Sequence, residues 1–487
     1  MTARLLPAIL LFALAACSGR GGDDGPIDVS VIGAEPVIVD PNQKPLADAD
    51  AVLVGATAQG LIRFDGTGQI EPAAAIRWDV SDDGLYYTFR IDDAAGIKAE
   101  DVARRLRVAI ARPSRNPLKP VLGAIDEVVA VTPEVVEIRL AAPRPTLLQL
   151  LAQPEMGLIL SRSRGGSGPL AIDGRGAGMI LLRPAGAEQA GEEDEEDAAA
   201  DRERIRLRGE RAALAVARFQ AGGAQLVLGG RYQDLAVARA AGLPANILRF
   251  DPVAGLFGFQ IVEARGFLAT PEMRRALSMA VDRDRLVNAF AVKGWRSALT
   301  LVPGGIADLP APTAPGWADI PLAGRRILAA GAVGAWRQQN GGAAPRVRVA
   351  LPPGPGSRLL FSLIRADWRA IGVEAEMVGM KDDADLRLVD RVAPADSGSW
   401  YLREFACDRA ALCSEEADRL MDAARKVPAL AERNLTLADA DARLARVVPF
   451  IPLAMPLRWS LVAPALVQFQ ENARGVHPLN HLRPDRR

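Results

Sequence analysis

Cys17, Cys407 and Cys413 are the cysteines of this 487-residue chain, and His477 and His481 its histidines. The residue types that most often carry nucleophilic or metal chemistry are therefore scarce. Both histidines fall within the last eleven positions, and neither H-E-x-x-H nor G-x-S-x-G occurs. That leaves little for a Ser-His-Asp triad or a metal-bound hydroxide. No metal is expected, because C-x5-C alone lacks a zinc spacing. No cofactor is expected either, since Gly174-x-Gly176-x-Gly178 lacks the dinucleotide spacing and a preceding strand. A carboxylate-only enzyme is the one catalytic reading left open, and the chain is read as a non-enzyme.

The cysteines divide by position. Arg4 supplies a positive start, and Leu5 to Ala13 form an apolar run too short for a permanent bilayer span. The run ends in Leu14-Ala15-Ala16-Cys17, which resembles a bacterial lipoprotein signal with Cys17 as the lipidated first residue of the mature protein. A plain secretory signal with an incidental cysteine is the alternative. Ser18 to Pro26, rich in Gly, Asp and Ser, reads as a tether. Removing Cys17 leaves Cys407 and Cys413, an even pair in a compartment that permits disulfides. They are expected to be bonded, a local staple worth about 2 kcal/mol, with two free thiols as the alternative.

The composition, 49% hydrophobic and 24% charged, is that of a globular protein and excludes a disordered, collagen-like or coiled-coil chain. Lys+Arg and Asp+Glu number 59 each, so no global field favours nucleic acid. At about 150 residues per domain the length implies roughly two to four domains. Ile27 to Gly33, Ala51 to Phe64 and Leu85 to Ile91 read as β-like runs. Val102, Leu106, Ala109 and Ile110 share one face of a helix from Ala99, and Val135 to Leu140 alternates as a strand. Ser161 to Gly178 is Gly-rich and reads as a crossing between domains. Glu192 to Asp197 and Arg202 to Arg211 read as solvated acidic and basic runs. A helix over Glu210 to Gln220 precedes a strand at Gln225 to Leu228.

Further on, Thr270 and Pro271 start a helix that buries Met273, Ala276, Leu277, Ala280 and Val281. Val347 to Leu351 reads as a strand. Ser357 is expected to cap a helix that buries Leu360, Ile364, Trp368 and Ile371 and stops at Gly372, before a strand at Val373 to Val378. Strands alternating with helices give an α/β class with mixed sheets.

The order of these segments resembles the extracytoplasmic solute-binding proteins of ABC importers, in the family that includes peptide, nickel and opine binders (family 5). Ile70-Glu71-Pro72-Ala73-Ala74-Ala75, Trp78-Asp79-Val80-Ser81-Asp82-Asp83-Gly84 and Tyr87-Thr88-Phe89-Arg90-Ile91 carry the strongest likeness. Ala99-Glu100-Asp101-Val102, Gly166-Ser167-Gly168-Pro169 and Met273-Arg274-Arg275-Ala276-Leu277 with Ala280-Val281-Asp282-Arg283 follow in the family's order. Most of these motifs are scaffold: Asp82-Asp83-Gly84 is a turn, and Asp282 and Arg283 are expected to fix a helix end.

The resemblance implies a periplasmic binding protein-like II fold, two lobes around a hinged cleft plus an extra β-rich subdomain. Its plan on this chain is a signal peptide over 1–16, a tether over 17–26, lobe I over 27–50, the subdomain over 51–164, lobe I again over 165–252, lobe II over 253–455 and a return to lobe I over 456–487. It also implies a monomeric, membrane-tethered periplasmic receptor that closes on a small ligand and hands it to a permease and ATPase. An orphan envelope lipoprotein of the same fold, acting as sensor or structural partner, is the competing reading.

The departures bear on the ligand. Asp385 to Leu402 enters the segment that in peptide binders reads G-W-x-x-D-Y-x-D-P, and without a gap Arg391 takes the tryptophan position and Pro394 the aspartate position. The carboxylate that pairs with a peptide's amino terminus is then missing, unless Asp396 substitutes through a re-routed loop. Lys98 replaces the family's capping Thr, and Asp92 to Gly96 is a shortened loop. Arg387 and Arg391 are candidates for an anionic group, with solvent exposure or pairing to Asp385 and Asp390 as the alternative. Trp400, Tyr401, Trp295 and Phe259 are the candidate pocket aromatics, with core packing as their alternative.

Overall fold

The computed structural model describes residues 25–93, 96–161, 165–176, 178–185 and 203–482. The proposed signal peptide, Cys17 and the tether up to residue 24 lie outside the described residues, as do Ala94, Ala95, Arg202 and the Glu192 to Asp197 run. Among the described residues no helix is long and apolar enough to cross a membrane.

Three sheets organise the chain, and the fold is mixed α/β as expected. A seven-stranded sheet runs in the order Leu170–Gly176, Met179–Pro184, Ile205–Glu210, Ile27–Ile32, Leu226–Arg231, Arg458–Val462, Leu248–Asp251. Ile27–Ile32 is parallel to both neighbours, and the outer pairings are antiparallel. A five-stranded sheet runs Glu374–Gly379, Arg346–Leu351, Leu386–Val392, Gly255–Ile261, Phe450–Ala454. The chain passes between these two sheets twice, from Asp251 to Gly255 and from Ala454 back to Arg458. Each sheet with its helices forms a lobe. A four-stranded antiparallel sheet of Ala75–Val80, Tyr86–Ile91, Val135–Leu140 and Ile125–Thr132 forms a third body.

Local physics explains most of these elements. In the four-stranded sheet Tyr87, Phe89 and Ile91 are buried while Tyr86 and Arg90 are exposed, the period-two pattern of a sheet covered on one face. The Ala99–Ile110 helix covers that face with Val102, Leu106 and Ala109. Gly84 holds φ at +66° in the turn before Tyr86–Ile91. Thr270 caps the Pro271–Ala280 helix by accepting from the Met273 amide. Asp282 accepts from the Arg285 amide, and the buried Arg283 donates to the carbonyls of Ser278, Ala298 and Pro452 at 2.9, 3.0 and 2.8 Å. Both residues therefore hold a helix junction.

Three local expectations are corrected. Ala51 to Phe64 is not one β-like run: Asp48–Thr57 is a helix, and Ile62–Phe64 alone is a strand. Alternating valines separated by small residues also satisfy a helical spacing, and Ala49, Leu53, Ala56 and Thr57 bury its inner face. Ser161 to Gly178, read as a Gly-rich break in the pattern, carries strands where it is described, since Gly165–Gly166 pairs with Ile159–Ser161 and Leu170–Gly176 is an edge strand. Its glycines permit close approach: a Cβ at Gly165 would fall 2.6 Å from the Thr57 hydroxyl. Ser357 lies inside the Pro355–Arg369 helix, whose N-cap is Gly354, and its hydroxyl meets the Tyr232 hydroxyl at 2.9 Å.

Candidate ligand crevice

Three sheet strands and a helix bring four charged residues from distant parts of the sequence to the place where the lobes meet. Asp390 stands on Leu386–Val392 of the five-stranded sheet, Arg231 ends Leu226–Arg231, Arg458 opens Arg458–Val462, and Asp48 begins the Asp48–Thr57 helix. Arg458 Nη1 donates to Asp390 Oδ1 at 2.8 Å, and Arg231 Nη1 donates to the Asp390 carbonyl at 3.3 Å. Arg231 also grips Asp48 through both carboxylate oxygens, Nη2 lying 2.7 and 2.8 Å from them. Burial alone would lower the basicity of Arg231, but Asp48 and Asp390 outweigh it and hold the guanidinium firmly protonated. The side chains of Asp390 and Arg458 are only 9% and 13% exposed, so this pairing is poorly screened.

Past Asp390, residues 394–396 continue across the mouth and bind the other side. Gln153 Nε2 donates to the Pro394 carbonyl at 2.6 Å. The Gln149 amide accepts from the Asp396 backbone at 2.9 Å and donates to its carboxylate at 3.2 Å, and Arg474 forms an ion pair with the same carboxylate. Burial would raise the Asp396 carboxyl, but Arg474 and Gln149 hold it below the usual range. Asp396, the suggested substitute for an ammonium-binding carboxylate, is thus engaged by an arginine.

Behind this bridge lies a crevice of about 1010 Å³, partly open to solvent. Val52, Phe64, Leu228 and Trp459 give it an apolar body, while Asp48, Arg458, Arg63 and Asp251 bring charges of both signs to its wall. Gly230 has no side chain because the Trp459 indole occupies its face: a Cβ there would lie 2.1 Å from the ring. The indole nitrogen donates to the Arg231 carbonyl at 2.8 Å, which fixes the ring as a wall of the crevice. Asp251 accepts from the Asn472 amide and faces His477 Nε2 at 3.0 Å. Among the described residues no group of three or more His, Cys, Asp or Glu could hold a metal ion.

The model of the family described as bacterial extracellular solute-binding proteins, family 5 Middle, matches residues 69–404. The chain belongs to this family. It is therefore a family 5 solute-binding protein of ABC import, extracytoplasmic and not an enzyme. Comparison with curated proteins returns no match. Among solved structures, the Escherichia coli murein tripeptide binding protein MppA matches with a TM-score of 0.77 at 16% identity, over 94% of this chain and 98% of that one. Haemophilus influenzae OppA complexed with the peptide RPPGFSPFR matches with a TM-score of 0.76 at 15% identity, over 94% and 97% of the two chains. At such identities the likeness is one of fold. MppA in its unliganded open form scores 0.62 at the same 16% identity, over 94% and 96% of the two chains.

Of the six side chains singled out for ligand contact, none lines this crevice, and Trp400 lines a second one, described below. Phe259 is fully buried against Trp368 in the five-stranded sheet's core. Trp295 donates to the Met455 carbonyl and packs on Phe257 and Phe290. Tyr401 is buried edge-on to Trp400. Arg391 pairs with Glu404, not Asp390, and its guanidinium lies over the Trp400 ring. Arg387 donates to the Asp382 carbonyl at the surface. Strand alternation turns Arg391 away from the lobe contact: Asp390, one residue before it, meets Arg458 and Arg231 of the other lobe. Cys407 and Cys413 are joined in lobe II, with Cα atoms 5.0 Å apart.

Proposed function

We propose that this family 5 protein is a lipid-anchored periplasmic receptor, tethered through Cys17, which captures a small carboxylate-bearing solute in the crevice between lobe I and the subdomain and delivers it to an ABC permease. Residues 27–50, 165–252 and 456–487 serve as lobe I, 253–455 as lobe II and 51–164 as the subdomain. The observation that carries this reading is the Asp48–Arg231–Asp390–Arg458 chain, in which Asp48 and Arg458 line the crevice while Arg458 and Arg231 of lobe I meet Asp390 of lobe II beside it. A solute carboxylate competes for the same guanidiniums, because arginine binds carboxylates through paired donors. Trp459, Val52 and Leu228 receive its apolar part. Pro394 supplies no charge for an amino terminus, so an oligopeptide-like solute is held by its carboxylate end or replaced by another small anion.

Thermal-shift screening of the mature chain against short peptides, opines, sugars and metal chelates tests the reading. A carboxylate-bearing solute at about 100 times its Kd should add about 2.7 kcal/mol to folding stability. The shift should disappear for the same solute made into its amide, and for Arg458→Gln. A uniform response to acids and amides would exclude the guanidinium site. The anchor is tested separately by Cys17→Ser, which should move the protein from the membrane fraction to the soluble one.

A further inference from the structure

A second crevice, of about 980 Å³, lies between the four-stranded subdomain and lobe II and shares no lining residue with the first. The Gln153–Pro394 and Gln149–Asp396 contacts belong to the bridge that runs between the two. Four guanidiniums converge on it: Arg144 from the subdomain, and Arg403, Arg425 and Arg433 from lobe II. Arg403 and Arg433 are buried, being 9% and 5% exposed. What they meet is mostly neutral. Arg144 donates to the carbonyls of Pro143 and Arg425 at 2.7 Å each, Arg433 to that of Pro143 at 2.5 Å, and Arg425 to that of Pro120 at 3.1 Å. Arg403 donates to the Met421 carbonyl at 2.9 Å and to Asp422 at 3.3 Å.

The carboxylates do not balance this charge. Asp422 is shared between Arg403 and Arg425 and is 64% exposed. Among the lining residues, Asp396 is taken by Arg474, whereas Asp308, held by the Ser397 hydroxyl and the Gly398 amide, offsets part of the charge of Arg144 and Arg433, so that with Asp422 two carboxylates face four guanidiniums. Like charges gathered in a partly buried wall repel one another more than they would in water. Burial, with Arg433 and Arg425, pushes Arg144 down to about 10, and burial with Arg425 does the same to Arg403. A guanidinium carries five donors, of which one or two are used at each of these four residues, so donors as well as charge remain for a guest.

We infer that this crevice binds a free multivalent oxyanion of the phosphate class, which joins the subdomain to lobe II independently of the solute crevice. Several guanidiniums facing one small space match the several oxygens of a phosphate better than the single charge of chloride. The walls belong to different bodies of the fold, so an occupant favours the arrangement in which they face each other. By linkage it must then tighten whatever else that arrangement binds.

The test is calorimetric titration of the full mature chain with inorganic phosphate in chloride buffer. Saturable binding is expected, weakened about tenfold or more in Arg144→Gln/Arg433→Gln, since each lost charge-assisted contact is worth about that factor. Should that variant fold poorly, Asp422→Asn gives the opposite readout: with a competing carboxylate gone from an exposed position, phosphate should bind several-fold more tightly. Phosphate binding no stronger than that of chloride, or unchanged in both variants, would overturn the inference. So would binding confined to phosphate monoesters that compete with the imported solute, because the site would then be an arm of the first crevice.

Discussion

Asp390 places one carboxylate between two arginines of the opposite lobe, and its removal leaves Arg458 and Arg231 facing each other with Asp48 alone to offset them. Breaking one side of a buried pair is more destabilising than forming it was stabilising, because the remaining charge stays desolvated. Asp390→Asn should therefore lower folding stability by about 3 kcal/mol in urea denaturation. Adding Arg458→Gln should cost less than the sum of the two single changes, as partners in contact are not additive. Glu210 gives a pH-dependent counterpart within one lobe. Its carboxylate joins Ser30 on the adjacent strand to Arg218 on the following helix, and although burial opposes ionisation, those two partners hold its pKa below the usual value. A carboxyl depressed in the folded state contributes stability that is complete above its unfolded value of about 4.3. That stability is lost as pH falls through the lower folded value. Glu210→Gln should flatten the acid limb of a stability-against-pH curve and leave its neutral plateau lower. The charged chain beside the solute crevice was not legible as a set, because Asp48 and Asp390 are linked through Arg231 only by two sheets and a double crossing.

Elements were more legible where their own side chains decide them. The Pro271–Ala280 helix announces its cap, its first-turn proline and its buried stripe within a dozen residues, and the fold adds nothing that contradicts them. The Asp48–Thr57 helix was misread because its Ala, Val and Gly content satisfies two periods at once. Its identity is settled from outside, by Asp50 accepting from the Val37 amide and by packing on the large sheet. The Pro355–Arg369 helix shows a third case, in which a neighbour decides the first turn. Gly356 lies under the turn at Tyr232, and a Cβ there would stand 2.1 Å from the Tyr232 carbonyl. Tyr232 is on the seven-stranded lobe's side of the contact and Gly356 on the other. Gly356→Ala must push backbone apart at the lobe junction, so we expect a loss of about 1–3 kcal/mol, the usual range for overpacking. Solute affinity should fall with it. Gly334→Ala, in an exposed helix with open space at its Cβ, serves as control and should be neutral or slightly stabilising.

At the scale of the whole molecule, the family's motifs told the fold correctly because they are turns, caps and helix junctions, features that any member of the architecture must rebuild. They could not tell the lobe arrangement, which depends on contacts between surfaces far apart in sequence. The arrangement here is held by residues 390–396, tied to the opposite side at Arg458, Gln153, Gln149 and Arg474. If those ties set the closed population, weakening both ends of the bridge with Asp390→Asn/Asp396→Asn should shift the protein toward an open form. Its radius of gyration by small-angle scattering should then exceed that of the wild type in the absence of solute. Since apparent affinity scales with the competent fraction, solute binding should weaken by the same factor by which the closed population falls. Saturating solute should restore the wild-type radius, because a ligand that binds the closed form better draws the population back to it. A double variant with the wild-type radius and lower affinity would instead assign these aspartates to direct solute contact, and closure would have to be governed by the two passages between the sheets, Asp251 to Gly255 and Ala454 to Arg458, alone.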